Sequence, residues 1–160
     1  MFSVVDSAGT VIEFIGFKKN SLHIKSKGKW LSKNRISKRI HHAGVYSVEK
    51  LTDNDPFYVG LLGLREIVRI PEDRTLSPGM LYLGIDDGVE NFEIYTSQNP
   101  NATHLCLLVD DMQETIYTLK ERRANEILRK PIIGRGKRWL SSIANSDNTT
   151  IEFTEAHCVK

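Results

Sequence analysis

Four residues have the types and spacing that metal chemistry asks for: His42, Glu93, His104 and Glu152. They run His, Glu, His, Glu along the chain, and the two His–Glu pairs span nearly equal lengths. Each histidine opens an apolar run, "HAGVYSVE" (42–49) and "HLCLLVDD" (104–111). Each glutamate lies inside another, "NFEIYT" (91–96) and "TTIEF" (149–153). In a strand, alternate side chains share a face. Phe92/Ile94 and Ile151/Phe153 would therefore point into a core while the glutamates point away from it. His42, Gly44 and Tyr46 share one face, Glu93 shares one with Tyr95, and His104 with Cys106. Two imidazoles and one or two carboxylates that converge on a pocket satisfy a divalent transition metal and leave positions for water or substrate. His41 competes with His42, but laying "HAGV" over "HLCL" favours His42 and leaves His41 a structural role. His23 and His157 lie in an arm and a tail and are read as bystanders.

The elements that must position these groups form a repeat. After "HAGVYSVE", Asp55-Pro56 is a helix N-cap and first-turn pair, Phe57, Leu61, Leu62 and Leu64 supply an apolar side, and Gly63 is a stop. After "HLCLLVDD", Asp111 with Glu114 resembles a capping box, and Met112, Ile116 and Leu119 recur at helical spacing until the charged "KERR". Three short strands follow each helix. The first half has "REIVRI", a turn at Ser77–Gly79, "MLYLGI" and "NFEIYT". The second has a weaker "RKPII", the loop "GRGK" (134–137), "WLSSIA" and "TTIEF". The predicted class is α+β: two βαβββ units, residues 38–97 and 102–156, forming one curved mixed sheet with helices on its convex face.

At 160 residues, 40% apolar and 26% charged, the composition excludes a disordered chain and a membrane span. Nine Lys/Arg and no Asp/Glu lie between Phe14 and Val48, although the whole chain carries only +2. Residues 18–37 read as a basic linker. They lack helical spacing and aromatics beyond Trp30, so a solvated connector is expected rather than a nucleic-acid surface. "DSAGTVIEF" (6–14) matches "NSDNTTIEF" (145–153), so residues 1–17 are expected to be the closing strand of a preceding module. Glu13 has no partner histidine before it and is left out of the site. Two cysteines make no disulfide framework, and Cys106 is read as a small core residue. Asp6 and Glu13 stand where a signal peptide is uncharged, which points to the cytoplasm.

The pattern "HHAGVYSVE", "FYVGLLGL" (57–64), "NFEIYT", "THLCLLVDD" and "SDNTTIEF" resembles the vicinal oxygen chelate superfamily, which includes glyoxalase I, methylmalonyl-CoA epimerase and extradiol dioxygenases. The resemblance implies a divalent metal (Zn, Ni, Co, Mn or Fe(II)) on His42, Glu93, His104 and Glu152. Glu93 or Glu152 would also move protons in a lyase or isomerase reaction beside a metal-bound carbonyl. Tyr46, Tyr95, Arg135, Lys137 and Arg138 are the candidates for holding a small-molecule substrate, the last three as an anion clamp. A homodimer, or pairing with a second glyoxalase-like module, is the expected assembly. Extradiol ring cleavage is the alternative. It usually adds a histidine shortly before the second ligand and a tyrosine before the last glutamate, and neither stands at the corresponding place here. A non-catalytic ligand-binding module of the same fold is the remaining reading.

Overall fold

The alternation of apolar and polar residues appears directly as strands with two distinct faces. The computed structural model describes residues 1–47, 52, 55–71, 79–85, 91–96, 103–124, 128–144, 146–147 and 149–159. The chain forms two compact units, Met1–Arg35 and Ile36–Lys160. In the first, β1 (Phe2–Val5) and β2 (Val11–Phe14) make an antiparallel hairpin with Phe2 stacked on Phe14 at 4.7 Å. Asp6 Oδ1 accepts from the backbone N–H groups of Ala8 and Thr10, and Gly9 takes φ +85 to close the turn. A short helix, α1 (Leu22–Ser26), follows, capped by Ser21. The strand expected at "VIEF" is thus present and pairs with β1.

The second unit carries the repeat. Its first half is β3 (Arg39–Ser47), a helical turn α2 (Pro56–Leu61), β4 (Arg65–Ile70), β5 (Met80–Gly84) and β6 (Phe92–Thr96). Its second half is β7 (His104–Val109), α3 (Met112–Glu121), β8 (Ile132–Ile133), β9 (Arg138–Ala144) and β10 (Thr150–Cys158). The eight strands form one curled mixed sheet in the order β4-β5-β6-β3-β7-β10-β9-β8. β3 and β7 pair antiparallel at its centre, and each pairs in parallel with the closing strand of its own half, β6 or β10. The two halves are therefore related by a pseudo-twofold between β3 and β7, and their closing glutamates flank the central histidines.

The α3 capping box forms as the sequence implies: Asp111 Oδ1 accepts from Glu114 N at 2.8 Å. Glu155 on the adjacent strand β10 adds a second cap, accepting from Met112 N at 3.1 Å. Met112 and Leu119 of α3 are buried with Val109 and Phe153, and Ile116, Leu107, Ile143 and Ile151 pack around them. This is the outer face of β7, β9 and β10.

The first helix differs from expectation. α2 is one turn with π-type bonding, Leu62 N–H to Phe57 O at 2.9 Å, and Gly63 ends it at φ +68. Asp55 precedes Pro56 but makes no side-chain cap. Its carboxylate instead meets the Arg69 guanidinium at 2.8 Å, beside Glu66 at 2.7 Å. A buried guanidinium, 5% exposed, outcompetes an N–H cap because an unpaired charge costs far more to bury. The strand expected over residues 129–133 shrinks to Ile132–Ile133 plus an isolated bridge from Leu128 to Ile143. Of the turn expected at Ser77–Gly79, Ser77 and Pro78 lie outside the described residues. No helix among those residues is long and apolar enough to cross a membrane.

Candidate metal centre

The inner face of the curled sheet receives every second residue of its central strands. From β6 it takes Glu93 and Tyr95, from β5 Met80 and Tyr82, from β9 Leu140, Ser142 and Ala144, from β10 Thr150 and Glu152, and from β7 His104. The residues alternating with them (Ile94, Leu81, Leu83 and Phe153) are fully buried on the other face. The register puts Cys106 opposite both His42 on β3 and Glu152 on β10. A β-bulge between Ile40 and His42 breaks the alternation locally. His41 and His42 thereby come edge to face, with their Nδ1 atoms 2.7 Å apart.

Three donor atoms meet at one point. His42 Nε2 lies 3.0 Å from Glu93 Oε2, His104 Nε2 lies 3.1 Å from the same oxygen, and the two ring nitrogens are 3.1 Å apart. Glu152 Oε1 stands farther back, 3.9 Å from His104 Nε2. Protons satisfy such a triangle poorly: if both nitrogens donate to Glu93, two N–H dipoles lie side by side. A cation satisfies all three atoms. Donors about 2.1 Å from one ion and roughly at right angles would stand about 3 Å apart, so the triangle fits a divalent transition metal.

The site is built to hold Glu93 and to leave Glu152 room. The Glu93 side chain is 5% exposed and its second oxygen accepts from the Tyr82 hydroxyl at 3.1 Å. Burial pushes its carboxyl up, but hydrogen bonds from His104 and His42 outweigh that and hold it down to about 2. The Glu152 side chain is 24% exposed, and burial, only partly offset by His104, raises its carboxyl above the usual range. Two carboxylates in one site are thus driven apart, one lowered by its hydrogen bonds and one raised by burial. Burial also pushes up the Tyr82 hydroxyl and the Cys106 thiol, the latter hydrogen-bonded to Glu152. The His104 ring packs against Gly44, where any Cβ would clash with it.

The other expected residues divide. Tyr95 and Arg135 line the main cavity, of about 530 Å³, together with Glu93, His104 and Glu152. Arg138 lines a smaller neighbouring cavity and holds His41, with its Nη1 donating to Nε2 at 2.9 Å. Tyr46 and Lys137 line neither cavity. Lys137 occupies the turn after β8 at φ +55. Sequence reasoning passed over Tyr82, Gly44 and Arg129. Tyr82 was legible by parity, standing between Leu81 and Leu83, but Gly44 and Arg129 gain their meaning only from what packs across from them.

No family model and no curated protein sequence matches the chain. Solved structures do. Methylmalonyl-CoA epimerase from Mycobacterium tuberculosis superposes over 81% of this chain and 95% of its own, with TM-score 0.65 at 13% identity. A glyoxalase/bleomycin resistance protein/dioxygenase superfamily member from Vibrio splendidus covers 73% of this chain and 97% of its own, with TM-score 0.53 at 15% identity. The chain has the vicinal oxygen chelate fold. A variant of homoprotocatechuate 2,3-dioxygenase from B. fuscum covers 95% of this chain at TM-score 0.70 and 16% identity, and this chain spans 42% of that enzyme. An epimerase and a dioxygenase thus share this sheet, so the fold by itself assigns no activity.

Proposed function

We propose that the chain is a divalent-metal-dependent enzyme of the glyoxalase-like kind, a lyase or isomerase that moves a proton next to a carbonyl of a small oxygenated substrate. The observation that carries this reading is the unequal pair of glutamates around two histidines. His42, His104 and Glu93 would hold the metal, with Glu152 adjoining them as a fourth donor. A bound divalent ion would supply Lewis-acid polarisation of the substrate oxygen. Glu152 Oε1 is the base: it takes the proton from the carbon beside that carbonyl and returns it to the neighbouring position or the other face. Its raised affinity for a proton suits both halves of that exchange. Tyr82 keeps Glu93 oriented by holding its outer oxygen. Met80 and Leu140 give the cavity an apolar wall beside these groups.

Ring cleavage by Fe(II) is the second reading, favoured by the breadth of the dioxygenase superposition. Two histidines and one carboxylate suffice for it, and Glu152 would then have no part as a base. Protein purified without chelator, analysed for metal and assayed on hemithioacetal, acyl-CoA and catechol panels in deuterated water, separates the readings. Metal uptake lost in His104→Ala, with solvent deuterium entering product in wild type but not in Glu152→Gln, is the expected result. Metal content that is nil, or unchanged by His104→Ala, would remove the proposal's basis.

A further inference from the structure

The buried His42 ring turns Nε2 to Glu93 and His104, so its second nitrogen, Nδ1, must find a partner inside the protein. The β-bulge supplies one. Strict alternation would put His41 on the opposite face of the sheet, but the break between Ile40 and His42 brings the two Nδ1 atoms to 2.7 Å. His41 is met in turn at Nε2 by Arg138 Nη1, at 2.9 Å. We propose that His41 is the positioning residue of the candidate metal centre, and that Arg138 is a latch on it which metal loading must open. The inference rests on the metal reading above and gives His41 more than the structural role expected from sequence.

The direction of each hydrogen bond follows from what each group can do. A guanidinium only donates, so His41 Nε2 accepts and the His41 proton lies on Nδ1. That N–H donates to His42 Nδ1, which leaves the His42 proton on Nε2, 3.0 Å from Glu93 Oε2. Every donor in this chain points the same way, from a cation at Arg138 to an anion at Glu93, and each bond strengthens the next. A metal ion on His42 Nε2 requires the other tautomer. His42 then carries its proton on Nδ1 and donates it to His41 Nδ1, as ligating imidazoles donate to an outer partner. His41 must then carry its own proton on Nε2, where it faces Arg138 as donor against donor. Metal at His42 and the Arg138–His41 contact therefore exclude each other. The cavity that Arg138 lines, about 190 Å³, also has Glu152 in its lining, so release leaves the guanidinium in a cavity that adjoins the centre.

Zinc titrations of the full chain, read by competition with a chromophoric chelator, and histidine-selective nitrogen NMR of metal-free protein test the inference. His41→Ala should weaken zinc binding about 10–100-fold. His41→Asn, whose carbonyl oxygen can accept from His42 Nδ1–H, should return the affinity to near the wild-type value. Arg138→Gln puts an acceptor in place of the donor and should tighten zinc binding about three- to tenfold. A merely structural role for the contact would weaken zinc binding in both His41→Ala and Arg138→Gln. Affinity unchanged in His41→Ala, or not raised in Arg138→Gln, would overturn the inference. Should His41→Ala fail to fold, Arg138→Gln carries the test alone. In metal-free wild type the spectrum is expected to show protons on His41 Nδ1 and His42 Nε2, with His42 moving toward the Nδ1–H form in Arg138→Gln. A His42 proton on Nδ1 in metal-free wild type would overturn the inference, as would tautomers that Arg138→Gln leaves unchanged. Failure of wild type to take up zinc would count against the metal reading alone, and the metal-free tautomers would still decide whether Arg138 acts on His42 through His41.

Discussion

Gly44 offers the sharpest test of the centre, because one methyl group there displaces the His104 ring without removing a donor atom. A Cβ added at Gly44 would stand 2.5 Å from His104 Nδ1 and 2.7 Å from Nε2, where ordinary contacts are 3.4–4 Å. The ring must move by roughly 1 Å, well outside the ~0.2 Å tolerance of a metal ligand. It can do so by turning toward the cavity, since His104 is 13% exposed. The metal-free Gly44→Ala protein should therefore lose no more than about 1–3 kcal/mol of stability. Losing the His104 donor should weaken metal binding at least about 100-fold, which is about 2.7 kcal/mol. Metal-induced stabilisation follows the affinity, so at saturating metal the gain in Tm should fall short of wild type by about 5–11 °C. Calorimetric titration and thermal melts with and without metal read both quantities, and Gly44→Ala should match His104→Ala. A full metal-induced shift in Gly44→Ala would refute the placement of His104 against Gly44, or its role as a ligand.

Tyr82→Phe removes the hydroxyl that holds Glu93 and should lower metal affinity about tenfold with little change in the metal-free melt, measured by the same titration. The Glu93 carboxyl is held below its ordinary pKa in the fold. The stability this brings is present above about pH 4.5 and lost as pH falls from there toward 2. Denaturant melts of metal-free protein across that window should show a steep acid limb that Glu93→Gln flattens; identical limbs would contradict the coupling. Burial raises the Cys106 thiol while Cys158 is exposed, so a thiol reagent at pH 8 should label one cysteine quickly and the second only on unfolding. Rapid labelling of both would show that the floor of the site is open.

Which residues share a face with the candidate donors is readable from the sequence, because strand alternation is local. Glu93 between Phe92 and Ile94, and Glu152 between Ile151 and Phe153, announce which way they point by their neighbours alone. Asp111 and Glu114 announce the start of α3 in the same manner. The α2 turn was less readable. Asp55 looks like a cap, but Arg69, a strand away, claims its carboxylate, and a local rule cannot see that competitor. Nor could spacing rank the two glutamates. Glu93 is fixed by two imidazoles and a tyrosine from three other strands, whereas Glu152 stands back from the imidazoles and lines the cavity. The bulge that brings His41 to His42 and the glycine against His104 have the same character. The sequence by itself determined the face each side chain takes, since a period of two needs only neighbouring residues. Which faces converge, at what distance and with what charge, was decided by strand order and curl, where groups some sixty residues apart become neighbours.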